Sequence, residues 1–352
     1  MRGLKHVLAV GGTAVVAAGV LGGVAGNSAG VATAAASTPV AIDLGTLGGT
    51  YSQAVAVNDR GQVVGDSYTA DGDLHPFSWT EQGGMVDLGT LGGGLSQALA
   101  VNDRGQVVGD SLTAIDDATL PHAFSWTRQG GLIDLGTLGV DTASVAVAVN
   151  DRGLVVGYSS ISGDIRHGVL HAFAWTKQGG MVDLGTLGGT YSQAFAVNDR
   201  GQVVGSSGGH AFSWTGQGGL VDLGTLGGTD NSALALNNSG QVVGLSQTAE
   251  GNSSAFSWTE QGGLVDLGTL GGTVSVAVAV NNGGQVVGYS SDTLGLFVPH
   301  AFSWTEQDGM VDLGTLVGFT YSFADAVNNS GQVVGYSSTA GNATVHATLW
   351  QP

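Results

Sequence analysis

The pentapeptide Asp-Leu-Gly-Thr-Leu recurs seven times in this chain, beginning at Asp43, Asp87, Asp134, Asp183, Asp222, Asp266 and Asp312. The intervals of 44, 47, 49, 39, 44 and 46 residues are those of a repeat architecture, in which each copy of one unit buries its apolar face against the next. All seven Trp keep the same beat, at 79, 126, 175, 214, 258, 304 and 350. One unit reads Ser52-Gln-Ala-Val-Ala-Val-Asn58, Gln62-Val-Val-Gly65, His75-Pro-Phe-Ser-Trp79 and Gly84-Met-Val-Asp-Leu-Gly-Thr-Leu91. Each piece is a short Val-rich or aromatic run bounded by Gly, Asn, Asp or Ser, which predicts four strands per unit. Asn58-Asp-Arg-Gly61 and Glu81-Gln-Gly-Gly84 offer glycine where a hairpin demands positive φ.

Four antiparallel strands per repeat predict an all-β chain, a seven-bladed β-propeller with four-stranded antiparallel blades. The repeat is cut out of phase with the chain. Residues 40–47 form a last strand with no Trp strand before it, and the seventh unit stops at Trp350 without its last strand. Pairing 40–47 with 346–350 closes the ring and removes the exposed edges an open stack would leave. Trp to the next Asp is always eight residues, whereas each hairpin Asn to the next Trp ranges from 16 to 25. Length variation therefore falls between the second and third strands. With the first strand innermost, where Ala54 and Ala56 suit the crowded axis, both uniform hairpins lie at one end. Variable loops and Gly-Gly crossovers lie at the other, the natural place for function.

Of 352 residues 63 are Gly, a share that suggests collagen or disorder until its arrangement is read. No triplet period exists, and a 42% hydrophobic content is too apolar for disorder. Arg2 and Lys5 precede an apolar stretch and then small residues ending at Ala36, the pattern of a signal peptide over 1–36; retention as an anchor is the alternative. The domain is then 37–352, secreted, with no Cys for disulfides, so a core must hold it. All 27 acidic residues follow Ala36, against seven basic ones, which disfavours nucleic acid and anionic lipid as partners.

Four tripeptides, at His122-Ala123-Phe124, His171-Ala172-Phe173, His210-Ala211-Phe212 and His300-Ala301-Phe302, precede a Trp and then Asp-Leu-Gly-Thr-Leu. In these motifs the chain resembles the extracellular HAF-repeat family of bacterial exported proteins, over essentially all of 40–352. Departures are His75-Pro76-Phe77, Ser254-Ala255-Phe256 and His346-Ala347-Thr348. The resemblance implies an extracellular location and a repeat architecture; it brings no catalytic residue or ligand.

His and Asp stand 12 apart in five units, among them His122 with Asp134, His171 with Asp183 and His210 with Asp222. Copies spread around a ring cannot converge on one metal ion, so these pairs, like Trp126, Trp175 and Trp214, read as structural repeat positions. The hairpin Asn reads as an Asx turn. Singular residues are more informative, because a functional site breaks repeat symmetry. Candidate ligand-binding residues in the variable loops are Asp71, Asp73, Asp116, Asp117, Asp164, Arg166, His167 and Asp292, with Tyr51, Tyr191 and Tyr321 as sugar-stacking rings at the crossovers. No catalytic residue, metal site or cofactor is assigned; paired carboxylates leave calcium open. The expected function is a monomeric, non-catalytic module binding a glycan or protein through the variable-loop face. The alternatives are a polysaccharide hydrolase or lyase using Asp116, Asp117 and Asp164, and a structural cell-surface protein.

Overall fold

The computed structural model describes residues 42–113, 120–162, 168–291, 298–340 and 344–351. Its regular elements are all strands, and no helix among the described residues is long and apolar enough to cross a membrane. The strands fall into consecutive antiparallel units over 48–87, 92–134, 144–185, 192–222, 227–268 and 275–312, each with four strands, and 321–350 with three. The first two units are joined into one eight-stranded sheet by a single parallel pairing, Leu74 with Leu95.

In the first unit the strands are Gly48–Val57, Val63–Thr69, Leu74–Thr80 and Gly84–Asp87. The second strand runs four residues beyond the expected Gly65. The fourth stops short of the expected Leu91, because Asp87 Oδ1 accepts the Gly89 N–H at 2.8 Å and turns the chain. Leu91 then donates its N–H to Ser111 of the following unit. In units three and seven, one extra residue lengthens this crossover. It is extruded into solvent at Val140 and Val317, and Asp141 adopts φ 52°, alone among described non-glycine residues in the left-handed region.

The core lies between units. Val64 and Ala56 of the first unit pack with Ala98, Val101, Val107 and Phe124 of the second, and the crossover residue Leu88 closes the cluster. Homologous clusters recur down the chain, with Trp175, Trp214, Trp258 and Trp304 packed on or in them. The first strand bulges in every unit, and at each bulge a carbonyl presses on the glycine of Val-Val-Gly. A Cβ on Gly205 would stand 1.9 Å from the Gln193 carbonyl oxygen, and the same spacing recurs at Gly65, Gly109, Gly244, Gly288 and Gly335. This glycine is fixed by close approach rather than by φ.

Six consecutive units, the second to the seventh, send the ends of their first strands to one cavity of about 100 Å³. Convergence of that kind requires the units to curve about a common axis with first strands innermost. The curvature is not completed by the expected strand pairing. Among the described residues Val345–Trp350 pairs only with Val333–Ser338, and Leu47 bridges Thr69 of the first unit instead. Correspondingly, Val57 is 55%, Val334 47% and Leu349 49% exposed, whereas Val108, Val156, Val204 and Val287, the counterparts of Val334, are fully buried.

Gly205→Ala is expected to cost about 3 kcal/mol or more, because the obstructing atom is backbone and cannot move aside. Gly216→Ala, at a hairpin position outside the positive-φ set where a Cβ meets only the Trp214 ring at an ordinary 3.8 Å, is expected within about 0.5 kcal/mol of the parent. Paired urea denaturation curves check both.

Candidate functional site

Antiparallel alternation places both hairpins of each four-stranded unit, and the first hairpin of the seventh, at one end and the variable loops with the crossovers at the other. The two ends differ in how their polar groups are used. At the hairpin end, Asn58 Oδ1 accepts the N–H groups of Arg60 and Gln62, the expected Asx turn. The same side chain also bridges units: Asn58 Nδ2 donates to the Asn102 carbonyl at 2.9 Å, and this step repeats from Asn102 to Asn150, Asn198, Asn237, Asn281 and Asn328. Beside it runs a second line. The Asp59 N–H donates to Asp103 Oδ1 at 2.8 Å, Asp103 to Asp151, Asp151 to Asp199, Asp199 to Asn238, Asn238 to Asn282, and Asn282 to Asn329. From Asn102 and Asp103 to Asn281 and Asn282 these residues line the axial cavity. Burial raises the Asp151 carboxyl above the ordinary carboxylate range; the Asp103 N–H and Arg104 counter it, and neighbouring Asp103 and Asp199 reinforce it. The polar groups around the cavity are thus largely committed to scaffold bonds.

The described basic residues are confined to one end. The described Lys and Arg residues, Arg60, Arg104, Arg128, Arg152, Lys177 and Arg200, are all exposed and all lie in hairpins of the first four units. The variable-loop end carries Asp and Glu and, among the described residues, no Lys or Arg. Asp71 and Asp73 are exposed there, in a turn closed by the Thr69 N–H to the Asp73 carbonyl at 2.8 Å. Asp116, Asp117, Asp164, Arg166, His167 and Asp292 lie outside the described residues.

The repeat positions at the variable-loop end form local bonds. His122 Nδ1 lies 2.8 Å from Asp134 Oδ2, His171 2.8 Å from Asp183 and His210 3.0 Å from Asp222; His75 with Asp87 and His300 with Asp312 do the same. The Asp134 bond holds His122 above its ordinary pKa against the opposing effect of burial. Burial alone would raise Asp134, but His122 and the Gly136 N–H together bring it below the carboxylate range. Trp126, Trp175 and Trp214 sit in the clusters between units. The residue after the His position, which is Ser254 in the fifth unit, also ties units together: the Ala123 N–H donates to Ser144 Oγ at 2.8 Å, and Ala172, Ala255 and Ala301 do likewise to Ser192, Ser275 and Ser322. Pro76 has no N–H to give. Its partner position, Ser96, turns its hydroxyl to the Asp110 carbonyl instead.

Three carboxylates that sequence reasoning passed over break the symmetry inside the units. Asp66 and Asp110 follow the bulge glycine where other units have Tyr158, Ser206, Leu245, Tyr289 and Tyr336; Asp325 stands on a first strand at a position occupied elsewhere by Phe195, Leu234 and Val278. Burial pushes Asp66 to about 7, against the 2.8 Å bond from the Ala98 N–H and with help from the charge of Asp110. Burial alone pushes Asp110 to about 7 and Asp325 to about 6. For Asp66 and Asp110 the sequence carries a signal, variation at one fixed position within Val-Val-Gly-x-Ser. Among the described residues no three His, Cys, Asp or Glu side chains are grouped to hold a metal ion.

The exposed aromatic feature of the variable-loop end is Tyr51 with Tyr68, 45% and 41% exposed, their rings 5.8 Å apart and tilted by 57°. The Tyr51 hydroxyl donates to Gln53 Oε1 at 2.5 Å, fixing that ring. Tyr191 is also exposed, whereas Tyr321 is half-buried.

No family model and no curated protein matches the chain. Among solved structures it is similar to a puromycin hydrolase S511A mutant complexed with PGG, at 12% identity and a TM-score of 0.52, over 86% of this chain and 52% of that one. A puromycin-hydrolyzing peptidase of Mycobacterium tuberculosis matches at 12% identity and 0.52, over 85% and 50%. The chain therefore spans about half the length of these proteins, and at such identity the likeness is one of propeller-like fold alone. The Aleuria aurantia lectin aligns at 9% identity over 85% of this chain and 92% of its own, with a TM-score of only 0.34.

The raised carboxylates set the direction of pH dependence. An Asp whose pKa is about 7 when folded and about 3.8 when unfolded favours the fold fully below 3.8, and that contribution is lost as pH rises through 7. His122, raised when folded, adds stability below 6.5 that is likewise lost on the alkaline side. Melting temperature should fall between pH 5 and pH 8. Asp110→Asn should stabilise more at pH 8 than at pH 5, by about 2–3 kcal/mol. Thermal denaturation across that range is the check.

Proposed function

We propose that the chain is a secreted HAF-repeat protein whose domain over 37–352, preceded by a signal peptide over 1–36, is a closed seven-bladed propeller. It binds a glycan or a protein, without catalysing a reaction, through its variable-loop end. The carrying observation is the contrast between the ends. Hairpin-end polar groups are engaged from unit to unit, whereas the opposite end displays the Tyr51 and Tyr68 rings beside the exposed carboxylates of Asp71 and Asp73. A tilted aromatic pair with acceptors at its margin suits the apolar face and hydroxyl edge of a sugar ring. The excess of carboxylates at that end favours a neutral glycan, or a basic protein surface, over a polyanion.

Capture on a panel of immobilised cell-wall and plant polysaccharides tests the reading. Tyr51→Ala and Tyr68→Ala should each weaken binding about ten-fold or more, with circular dichroism and melting unchanged. Capture that survives both substitutions contradicts it.

A further inference from the structure

We propose that the sixth and seventh units carry a second binding site, formed by the rings of Tyr289, Phe323 and Tyr336 and the carboxylate of Asp325, for a small quaternary ammonium compound. The site shares no residue with the Tyr51 and Tyr68 surface and lies wholly among the described residues.

The first strand of the seventh unit departs from the repeat at two places. At the position of Phe323 the other units carry Gln53, Gln97, Val145, Gln193, Ser232 and Val276, each opposite the residue that follows the bulge glycine. Only the seventh puts a ring there, and the residue across from it is Tyr336. These two rings stack with centroids 4.9 Å apart at 22°. Tyr289 of the sixth unit meets the Phe323 ring at 5.0 Å and 63°, which adds an inclined wall to the stacked pair. Asp325 is the extra residue of the strand's bulge, where the other units carry Val55, Leu99, Val147, Phe195, Leu234 and Val278. The scaffold is therefore served by an apolar side chain at that place. A carboxylate there breaks the local rule without a packing gain, which is the mark of a site rather than of a core.

The sign of the ligand follows from what surrounds Asp325. Aromatic faces carry negative potential and draw cations. The Asp325 charge is close enough to add to burial in raising the Tyr336 hydroxyl above the ordinary phenol range. No group of the chain offsets it. Among the described residues the Asp325 side chain has no hydrogen-bond or ion-pair partner, and the described Lys and Arg lie in hairpins of the first four units. The three rings and the carboxylate are all half-buried, so a cation from solution can reach them.

The kind of cation follows from counting donors. A primary ammonium brings three N–H groups and a guanidinium five, and one half-buried carboxylate leaves some of them unpaired at a cost. A quaternary ammonium has no donor to lose, so its methyl groups can rest on the rings while its charge faces Asp325. The excess of 27 acidic over 9 basic residues disfavours a phosphate, which points to a free cation rather than a phosphate-borne headgroup.

Calorimetric titration of the purified protein with choline tests the site. The comparison ligands are its neutral carbon isostere dimethylbutanol, ethanolamine and phosphocholine. Two substitutions borrow residues that other units carry at the same positions, Asp325→Val from Val278 and Tyr336→Leu from Leu245, so the fold accommodates them. Choline should bind saturably and about ten-fold or more tighter than each comparison ligand, and each substitution should weaken choline by about five-fold or more. The melting temperature of Asp325→Val without ligand should equal or exceed the parent's, because burial disfavours the carboxylate. Absence of saturable choline binding, a comparison ligand that binds as tightly, or unchanged choline affinity in both variants overturns the proposal. A lower melting temperature for Asp325→Val also overturns it, since Asp325 would then be structural. Tyr51→Ala should leave choline affinity unchanged. If polysaccharide capture fails while choline behaves as expected, this site stands without the reading of the variable-loop end.

Discussion

A side chain that bonds its own turn and the neighbouring unit at once holds this architecture together. From the first unit to the sixth, the hairpin Asn uses its carbonyl oxygen to close the Asx turn and its amide to reach the next hairpin, while the Asp or Asn that follows each receiving Asn accepts the N–H of the unit before. The cavity-lining ends of the first strands are thereby fixed at one spacing from unit to unit. That spacing lets Val, Phe and crossover Leu of adjacent units interlock in one repeated cluster. Units with no apolar face to spare for solvent are stable only in such a row.

Because the hairpin end sets the spacing, its sequence is uniform and its loops are short. The opposite end has no such duty. The connection in the fourth unit shrinks to Gly208 and Gly209, both at positive φ, while others lengthen freely. The resulting division is chemical as well as geometric. Exposed Arg and Lys sit in hairpins together with exposed Glu81, Glu260, Glu306 and Asp308, whereas the variable-loop end exposes Tyr and carboxylates without a described Lys or Arg.

Much of this was legible in the residues. The seven-fold Asp-Leu-Gly-Thr-Leu and the Trp beat predicted all-β units of four strands, because period and turn glycines are local signals. The constant 12-residue offset of His and Asp reflects one hairpin register, and both residues indeed meet. Strand limits were less legible: the end of the fourth strand depends on a carboxylate turning back on the Gly89 N–H, a contact with no periodicity. The second role of the hairpin Asn was hidden because its acceptor is about one repeat away in the chain. Asp66, Asp110 and Asp325 escaped because each occupies a strand position where burial, invisible in a single sequence, decides what a carboxylate does. The expected pairing of 40–47 with 346–350 is not among the described contacts; residues 42–47 bond to the first unit instead.

Residue-resolved hydrogen exchange most directly tests whether the Asn and Asp line holds the units in register. The amides of Asp103, Asp151, Asp199 and Asn238, although they lie in hairpin turns, should exchange as slowly as those of buried strands such as Val203–Ser207, by global unfolding. Exchange at the rate of open surface turns would mean that the hairpins do not bind their neighbours, and the account would be wrong at its foundation.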